Sequence, residues 1–335
     1  MAKKIHLKKP KKKKFKYLIY ILIIYLLYQI VLNYFNNLNL ATNNEDFIRA
    51  LLANSNYHLR YEKNSNNLIN ILTNLITNFD LNKPSTVLEK SFKLKDYNDE
   101  KMIKNDSDND LSLEELEKIS NYIKDPYDTE INNPRIYIYN THQHENYSSK
   151  NLEIYNITPN VMMASYLLKE KLNQLGVPTV VEEANLIEFM RLNNWEHKDS
   201  YKASRFYIID AMNKYKNLDL LIDLHRDSLS KEASTTEIDG KNYAKILFVV
   251  GLDNPSYQEN LNLANKIHEL VSNKYPTLSR GVLTKKGPLN DGVYNQDLSS
   301  KMILLEVGAQ YNTIDEVLNT IEVLSHIFKE IIGDA

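Results

Sequence analysis

The chain changes character at Pro134-Arg135-Ile136-Tyr137-Ile138-Tyr139-Asn140-Thr141-His142-Gln143-His144-Glu145, where an apolar run passes directly into polar residues. Ile136 to Tyr139 has the length and composition of a buried strand. Further strands are predicted at Thr179 to Val181, Leu220 to Leu224, Ala244 to Val250 and Met302 to Val307. Helix-like segments separate these strands. Residues 134–335 are therefore predicted to form an α/β domain, with a mostly parallel sheet covered by helices on both faces.

The helices of this region have recognisable faces and ends. One predicted helix places Val161, Ala164, Leu168 and Leu172 on a single face and stops at Gly176, a residue suited to the end of a helix. A later helix begins at Thr313-x-x-Glu316, which has the spacing of a capping box. Its buried face is predicted to hold Val317, Ile321, Leu324, Phe328 and Ile331.

Four polar residues follow three of the predicted strands. His142 and Glu145 come after the first strand, His225 follows Leu220 to Leu224, and Glu306 ends the apolar run that starts at Met302. Sites in parallel sheets lie beyond the carboxyl ends of the strands. Two His and one Glu can hold Zn²⁺ with one coordination position open, and a second Glu can take up a proton. The pattern predicts a zinc hydrolase with His142, Glu145 and His225 as ligands and Glu306 as the base.

The eight histidines allow an elimination. His6 and His58 precede the predicted domain, and His268 and His326 fall inside predicted helices. The remaining candidate ligands are His142, His144, His197 and His225. The chain has no cysteine, so zinc ligands must come from His, Asp and Glu.

The amino terminus predicts a membrane anchor. Residues 1–16 contain nine lysines and no acidic residue, and Tyr17 to Phe35 carries no charge. A helix over 17–36 is just long enough to cross a bilayer, and the lysines place residues 1–16 in the cytoplasm. The alternatives are a cleaved signal peptide, for which Ala41 is a weak cleavage candidate, and a buried core helix. We expect a retained single-pass anchor with the catalytic domain on the outer side.

Residues 37–133 are predicted to form a helical, membrane-proximal stalk and linker. Helix-like stretches run from Asp46 to Tyr61 and from Asn66 to Phe79, and the second has Leu68, Ile71, Leu72 and Leu75 on one face. Lys93 to Asn133 is polar and is interpreted as a linker.

The linker contains an acidic motif with two interpretations. Asp106, Asp108, Asp110 and Glu117 have the spacing of an EF-hand calcium loop, but Leu111 stands where such loops have Gly. The alternative is an acidic turn that leads into a helix at about Leu113 to Ile123.

The net charge excludes one class of partner. Without the nine amino-terminal lysines, 32 of the 41 Lys and Arg remain against 43 Asp and Glu, a net charge of −11. An acidic domain of this kind is not expected to bind nucleic acid.

Several segments together resemble the stage II sporulation protein P family. They are Asn140 to Tyr147, Asp223 to Ser228, Gly251 to Pro255, Tyr294 to Leu298 and Leu304 to Gly308, in the family's order and at roughly its spacing. The resemblance covers about residues 134–335. Residues 37–133 taken alone resemble no particular family.

The resemblance implies the phosphorylase/hydrolase-like fold of zinc amidases and carboxypeptidases. It also implies a zinc-dependent N-acetylmuramoyl-L-alanine amidase, with possible peptidoglycan endopeptidase activity, which acts during engulfment with the stage II sporulation proteins D and M. A zinc endopeptidase or carboxypeptidase and a non-catalytic glycan-binding scaffold are the alternatives. In the family the first motif often has His where this chain has Asn140.

Further roles are expected around the zinc ligands. In related zinc amidases the middle ligand comes from the start of the first helix, so Glu153 is an alternative to Glu145. Arg226 is predicted to help stabilise the negative charge that develops during hydrolysis, or to pair with Asp227. Substrate-binding residues are predicted at Tyr201, Arg205, Asn295, Gln296 and Asp297.

Overall fold

The computed structural model describes residues 20, 22–29, 112–119, 122–126, 130–150, 152, 157–287 and 290–333. The chain divides into two compact units, Met1–Leu40 and Ala41–Ala335. In the first unit, residues 22–29 are helical and exposed. Among the described residues, no helix combines the length and apolarity that a membrane crossing needs. The anchor over 17–36 therefore stays a prediction.

Several predicted features lie outside the described residues. They are the two helices of the stalk, the signal-peptide cleavage site, most of the EF-hand-like motif and Glu153.

A six-stranded sheet forms the centre of the second unit, in the order β2-β1-β3-β8-β6-β7. Its strands are β1 (Ile136–Tyr139), β2 (Thr179–Val181), β3 (Leu220–Asp227), β6 (Ile246–Gly251), β7 (Ser279–Lys285) and β8 (Met302–Ala309). The first three and β8 are mutually parallel, which confirms a mostly parallel sheet. The pair β6 and β7 runs antiparallel to β8.

The reversal of β6 has a simple cause. A hairpin of β4 (Thr235–Ile238) and β5 (Lys241–Ala244) lies between β3 and β6. A strand parallel to β3 would require a long crossover, usually a helix, that returns the chain to the edge of the sheet where β3 begins. The connection from β3 to β6 contains no such helix. The sequence patterns predicted neither the hairpin nor β7, because both are short or half-exposed and lack a continuous apolar run.

Helices cover both faces of the sheet, as predicted. The longer described helices of this unit are α1 (Leu113–Ile119), α2 (Val161–Gln174), α3 (Leu186–Leu192), α4 (Ser200–Lys214), α5 (Tyr257–Lys274) and α6 (Ile314–Gly333). The larger core joins α2, α5 and α6 to one face of the sheet. On the opposite face, α4 packs its Ile208 and Ala211 against Tyr137, Tyr139, Leu221 and Met302.

Part of the predicted linker packs against the α/β domain. The helix expected from Leu113 is α1, and its Leu116 is fully buried among residues of α3 and α4. Further along, the Tyr166 hydroxyl donates to Ile123 O at 2.9 Å, and Lys169 pairs with Asp125. A catalytic domain that starts at residue 134 stays a prediction, but residues 112–126 contribute to its packing.

Strand register brings the predicted site residues to one edge. Tyr139 of β1 is paired with Asp223 of β3, and His225 of β3 is paired with Glu306 of β8. His225 thus lies inside β3 and not in the loop that follows, because β3 continues to Asp227, beyond its predicted end at Leu224. Glu306 lies inside β8, within the predicted strand Met302 to Val307.

Candidate metal centre

The loop after β1 carries the first two candidate ligands. Its turn is closed by the Glu145 amide, which donates to His142 O at 3.2 Å. Asn140 ties the loop to the sheet, since its Nδ2 donates to Leu224 O at 2.6 Å and its Oδ1 accepts from Ser165 at 3.0 Å. These bonds hold His142 and Glu145 beside the end of β3.

Three ligand atoms converge here. His142, Glu145 and His225 each offer a donor atom, and these atoms all lie within 4.8 Å of one another. Glu145 Oε1 is 3.3 Å from Nδ1 of both His142 and His225. The other oxygen, Oε2, accepts from the Arg226 amide at 2.8 Å. Two imidazoles and one carboxylate are a donor set that fits Zn²⁺ and leaves a position open.

The charges within the group are strongly coupled. Burial disfavours charge on both Glu145 and His225, but their mutual attraction outweighs it. The pKa of Glu145 is held well below its usual value by His225 and His142. The pKa of His225 is raised well above its usual value by Asp223 and Glu145. His225 must give up any bound proton before its imidazole can ligate a cation, so these shifts couple metal binding to pH.

Asp223 supports His225 and was not among the predicted site residues. Its Oδ1 lies 2.9 Å from His225 Nε2 and accepts from the Thr141 amide at 3.0 Å, while Oδ2 accepts from the Thr141 hydroxyl at 2.8 Å. A carboxylate behind a metal-binding imidazole orients the ring and increases its basicity. The spacing of Asp223 and His225 could have indicated this role, because residues two apart on a strand lie on the same face of the sheet.

Asp223→Asn is expected to weaken Zn²⁺ binding by about 10–100-fold, because the His225 ring loses its negatively charged partner. Calorimetric titration of the full chain with Zn²⁺ measures the change. Asp210→Asn, an exposed acid on α4, is the matched control and should bind as the native chain does. Equal affinity in the two variants would contradict a supporting role for Asp223.

Glu306 faces the group from the next strand. Its side chain is partly buried, and Oε2 is inaccessible and has no hydrogen-bond partner among the described residues. Burial raises the pKa of Glu306 to about 8; His225 opposes the shift, while Glu145 and Asp227 add to it. A nearby cation would favour its ionised form. An unsatisfied, proton-holding carboxyl beside three ligand atoms fits an acid–base role.

Aromatic rings surround the candidate ligands His142 and His225. His197 lies 5.1 Å from His142 between ring centroids, and His144 lies 5.0 Å from His197. Tyr201 contacts His142 edge-on at 5.6 Å and stacks on His225 at 6.5 Å. Burial lowers the pKa of His144 well below its usual value, so this ring is neutral. Neither His144 nor His197 belongs to the converging three-residue group found among the described residues.

Arg226 contributes to the site through its backbone. Beyond the amide that binds Glu145, its guanidinium donates to Asn146 O at 3.2 Å and to Asp227 O at 3.4 Å. Asp227 itself pairs with Arg280 at 2.7 Å. Assistance by the Arg226 side chain in hydrolysis stays a prediction.

The predicted substrate-binding residues form a brace between α4 and the 291–298 loop. Arg205 and Asp297 make a two-pronged ion pair, with both contacts at 2.8 Å. Asn295, in the left-handed region with φ 58°, donates to Tyr201 O at 2.9 Å and to Ser204 Oγ at 3.0 Å. The brace holds the first turn of α4, and therefore the Tyr201 ring, against the candidate ligands.

Gln296 anchors the same loop to β6. Its amide donates to Val249 O at 2.8 Å and accepts from the Gly251 amide at 3.0 Å. Gly251 is required there, because a Cβ would lie 2.2 Å from Gly292 O. Substrate binding by these loop residues stays a prediction, and their internal bonds give them a positioning role in the folded chain.

Comparison with known proteins gives the family. The model of the stage II sporulation protein P family matches residues 48–329, well over half of the 335 residues. The chain belongs to the stage II sporulation protein P family. The resemblance expected from the motifs is thereby confirmed, and the match extends upstream of residue 134 into the region that resembled no family by itself.

A family relative and a solved structure are among the proteins similar to the chain. Stage II sporulation protein P of Bacillus subtilis (strain 168) is 31% identical over 242 residues, which cover 69% of this chain and 60% of that relative. The CwlD amidase of Clostridioides difficile, solved in complex with the GerS lipoprotein, overlaps 60% of this chain and 100% of that chain, with 12% identity and a TM-score of 0.38. Because this TM-score is low, the fold assignment rests on the strand order and register described above and not on the CwlD structure.

Proposed function

We propose that the chain is a zinc-dependent N-acetylmuramoyl-L-alanine amidase of sporulation. It would cleave the amide between the lactyl group of muramic acid and the L-alanine of the stem peptide in septal peptidoglycan. The observation that carries the proposal is the convergence of His142, Glu145 and His225 beside Glu306. Membership in the sporulation family supports the cell-wall substrate.

His142, Glu145 and His225 would hold Zn²⁺. When bound, the ion would supply Lewis-acid chemistry, which polarises an amide carbonyl and acidifies water. Glu306 Oε2 would take the proton of the attacking water and return it to the alanine nitrogen as the carbon–nitrogen bond breaks. Tyr201 would fix the position of the substrate beside His142, because the brace formed by Asn295 and Arg205 holds its helix.

The cellular setting is part of the proposal. The predicted anchor would place the enzyme on the outer side of the cell membrane, in the space between forespore and mother cell. The stage II sporulation proteins D and M would be its partners, as the family resemblance implies. The location and the partners are independent of the proposed amidase reaction. Either could be wrong while the reaction is right.

Digestion of purified peptidoglycan by the full chain tests the activity. We expect release of intact stem peptides with a free L-alanine amino terminus, and we expect a chelator to abolish that release and Zn²⁺ to restore it. Mass spectrometry of the products makes the distinction. Shortened stems that remain on the glycan would indicate an endopeptidase or carboxypeptidase. Undigested peptidoglycan under every metal condition would support the scaffold alternative instead.

Zn²⁺ binding should strengthen as the pH rises. The raised pKa of His225 means that its imidazole is protonated in the metal-free site, and a ligand must be neutral. Each proton released corresponds to about tenfold in affinity per pH unit, until the pH exceeds that raised pKa. Calorimetry at about pH 6, 7 and 8, in buffers of different ionisation heat, counts the protons. Affinity that does not change with pH would show that the metal-free His225 is neutral.

A further inference from the structure

An exposed apolar patch lies on α3 and α4, away from the metal ligands. Leu192, Phe206 and Ile209 expose 67%, 55% and 42% of their surface. The Phe206 ring continues into those of Phe189 and Trp195, with centroids at 5.9 and 5.8 Å. A contiguous exposed apolar surface of this kind usually marks a site of interaction with another segment or molecule. We call these five residues the α3–α4 patch.

The membrane-proximal part of the chain already uses this side of the domain. In α1, Leu116 is fully buried against Leu186, Ile187 and Met190 of α3 and Ala203 of α4, a cluster that also includes Phe189 and Trp195. The chain upstream of residue 113 therefore starts beside the α3–α4 patch. Up to 33 residues separate Phe79 from Leu113, and at about 3.3 Å per residue they can reach any part of the patch.

The sequence upstream provides a segment that needs such a surface. Residues 66–79 contain no charged residue, and Leu68, Ile71, Leu72, Leu75 and Phe79 recur at the spacing of one helical face. A solvated stalk helix is expected to carry charges around its surface, and this segment does not. The family match starts at residue 48, so this segment lies within the matched part of the chain.

We propose that the helix predicted over residues 66–79 docks its apolar face on the α3–α4 patch of the same chain. The membrane-proximal region would then be a rigid part of the catalytic unit. A helix of 14 residues is about 21 Å long. The proposal concerns packing alone and does not depend on the proposed amidase activity.

The chain provides its own probe for a test. Trp195, the only tryptophan, belongs to the patch, and Lys202 Nζ lies 3.8 Å from its ring centroid. In the full chain, Leu72→Asp should shift Trp195 emission to longer wavelength and increase quenching by iodide, because the docked helix leaves. Leu283→Asp is the matched control: Leu283 is 45% exposed on β7, outside the patch, and its replacement should leave the emission unchanged.

Cross-linking keeps the test valid if Leu72→Asp disturbs folding. Because the chain has no cysteine, Phe206→Cys can be combined with Leu68→Cys, Leu72→Cys or Leu75→Cys without background. A short bifunctional thiol reagent should cross-link at least one pair within a single chain, whereas Leu283→Cys combined with Leu72→Cys should not react. Failure of all three pairs, together with unchanged emission in Leu72→Asp, would overturn the proposal.

Two other occupants of the patch would give different results. If a second copy covers the patch, Trp195 emission changes on dilution and the cross-linked product has twice the mass. If peptidoglycan covers it, iodide quenching falls only when peptidoglycan is added. Either result would overturn docking within the chain.

Discussion

Glu306→Gln is expected to lower the rate of peptidoglycan amide hydrolysis by about 10²–10⁴-fold, the range attributed to a general acid–base group. Glutamine has nearly the same shape but cannot accept the proton of the attacking water. Oε2 of Glu306 lies inside the site and has no hydrogen-bond partner among the described residues, so the substitution should not break a hydrogen bond seen there. Zn²⁺ binding should persist, because Glu306 is not one of the three converging ligands. Product release from purified peptidoglycan and metal content after dialysis measure the two quantities.

The control for this variant is Glu259→Gln, an exposed glutamate on α5 that lies outside the site. It should keep full activity. If Glu306→Gln also retained activity, Glu306 would not be the base. Loss of both metal and activity would instead indicate that Glu306 is a ligand.

Glu145→Gln should remove bound Zn²⁺ and reduce hydrolysis to background. A neutral amide cannot replace a carboxylate whose Oε1 faces two imidazoles at 3.3 Å. The variant should also lower the pKa of His225. The carboxylate of Glu145 favours the charged imidazole and raises that pKa, whereas a neutral amide leaves the cost of burying the charge uncompensated. Metal content and the His225 proton resonance across a pH titration report both effects.

Glu153→Gln is the matched comparison, since Glu153 was the other candidate for the third ligand. We expect it to keep both Zn²⁺ and activity. The reverse result, with metal retained in Glu145→Gln and lost in Glu153→Gln, would assign the ligand to the helix start that related zinc amidases use.

Local sequence patterns predicted the central strands well, because a strand buried on both faces consists of a continuous run of apolar residues. The strands at Ile136 to Tyr139 and Thr179 to Val181 have the predicted bounds, and the strands that start at Leu220 and Met302 are longer than predicted. In contrast, β7 alternates half-exposed residues at the edge of the sheet and has no apolar run. Its pairing energy comes from β6, which is distant in sequence.

The candidate site shows a similar division. Residue types and their positions after strands indicated His142, Glu145 and His225 as candidate metal ligands, because few other residues can hold a metal in a chain without cysteine, and Glu306 as the candidate base. The support given by Asp223 was not recognised, although Asp223 lies two residues from His225. The role of an acidic residue in a strand cannot be assigned until the side chain that it contacts is known, here the His225 ring.

From the sequence alone came the α/β class, the family and the residue types of the site, since hydrophobic period and motif order are local properties of a chain. Tertiary structure alone decided which residues meet. The pairing of His225 with Glu306 depends on β3 and β8 lying side by side, although about 80 residues separate them. The brace from Asn295 to Tyr201 and the packing of Leu116 on α3 likewise depend on contacts between distant segments. Such contacts leave no periodic signal in the sequence, because each partner is selected by the shape and polarity of the other.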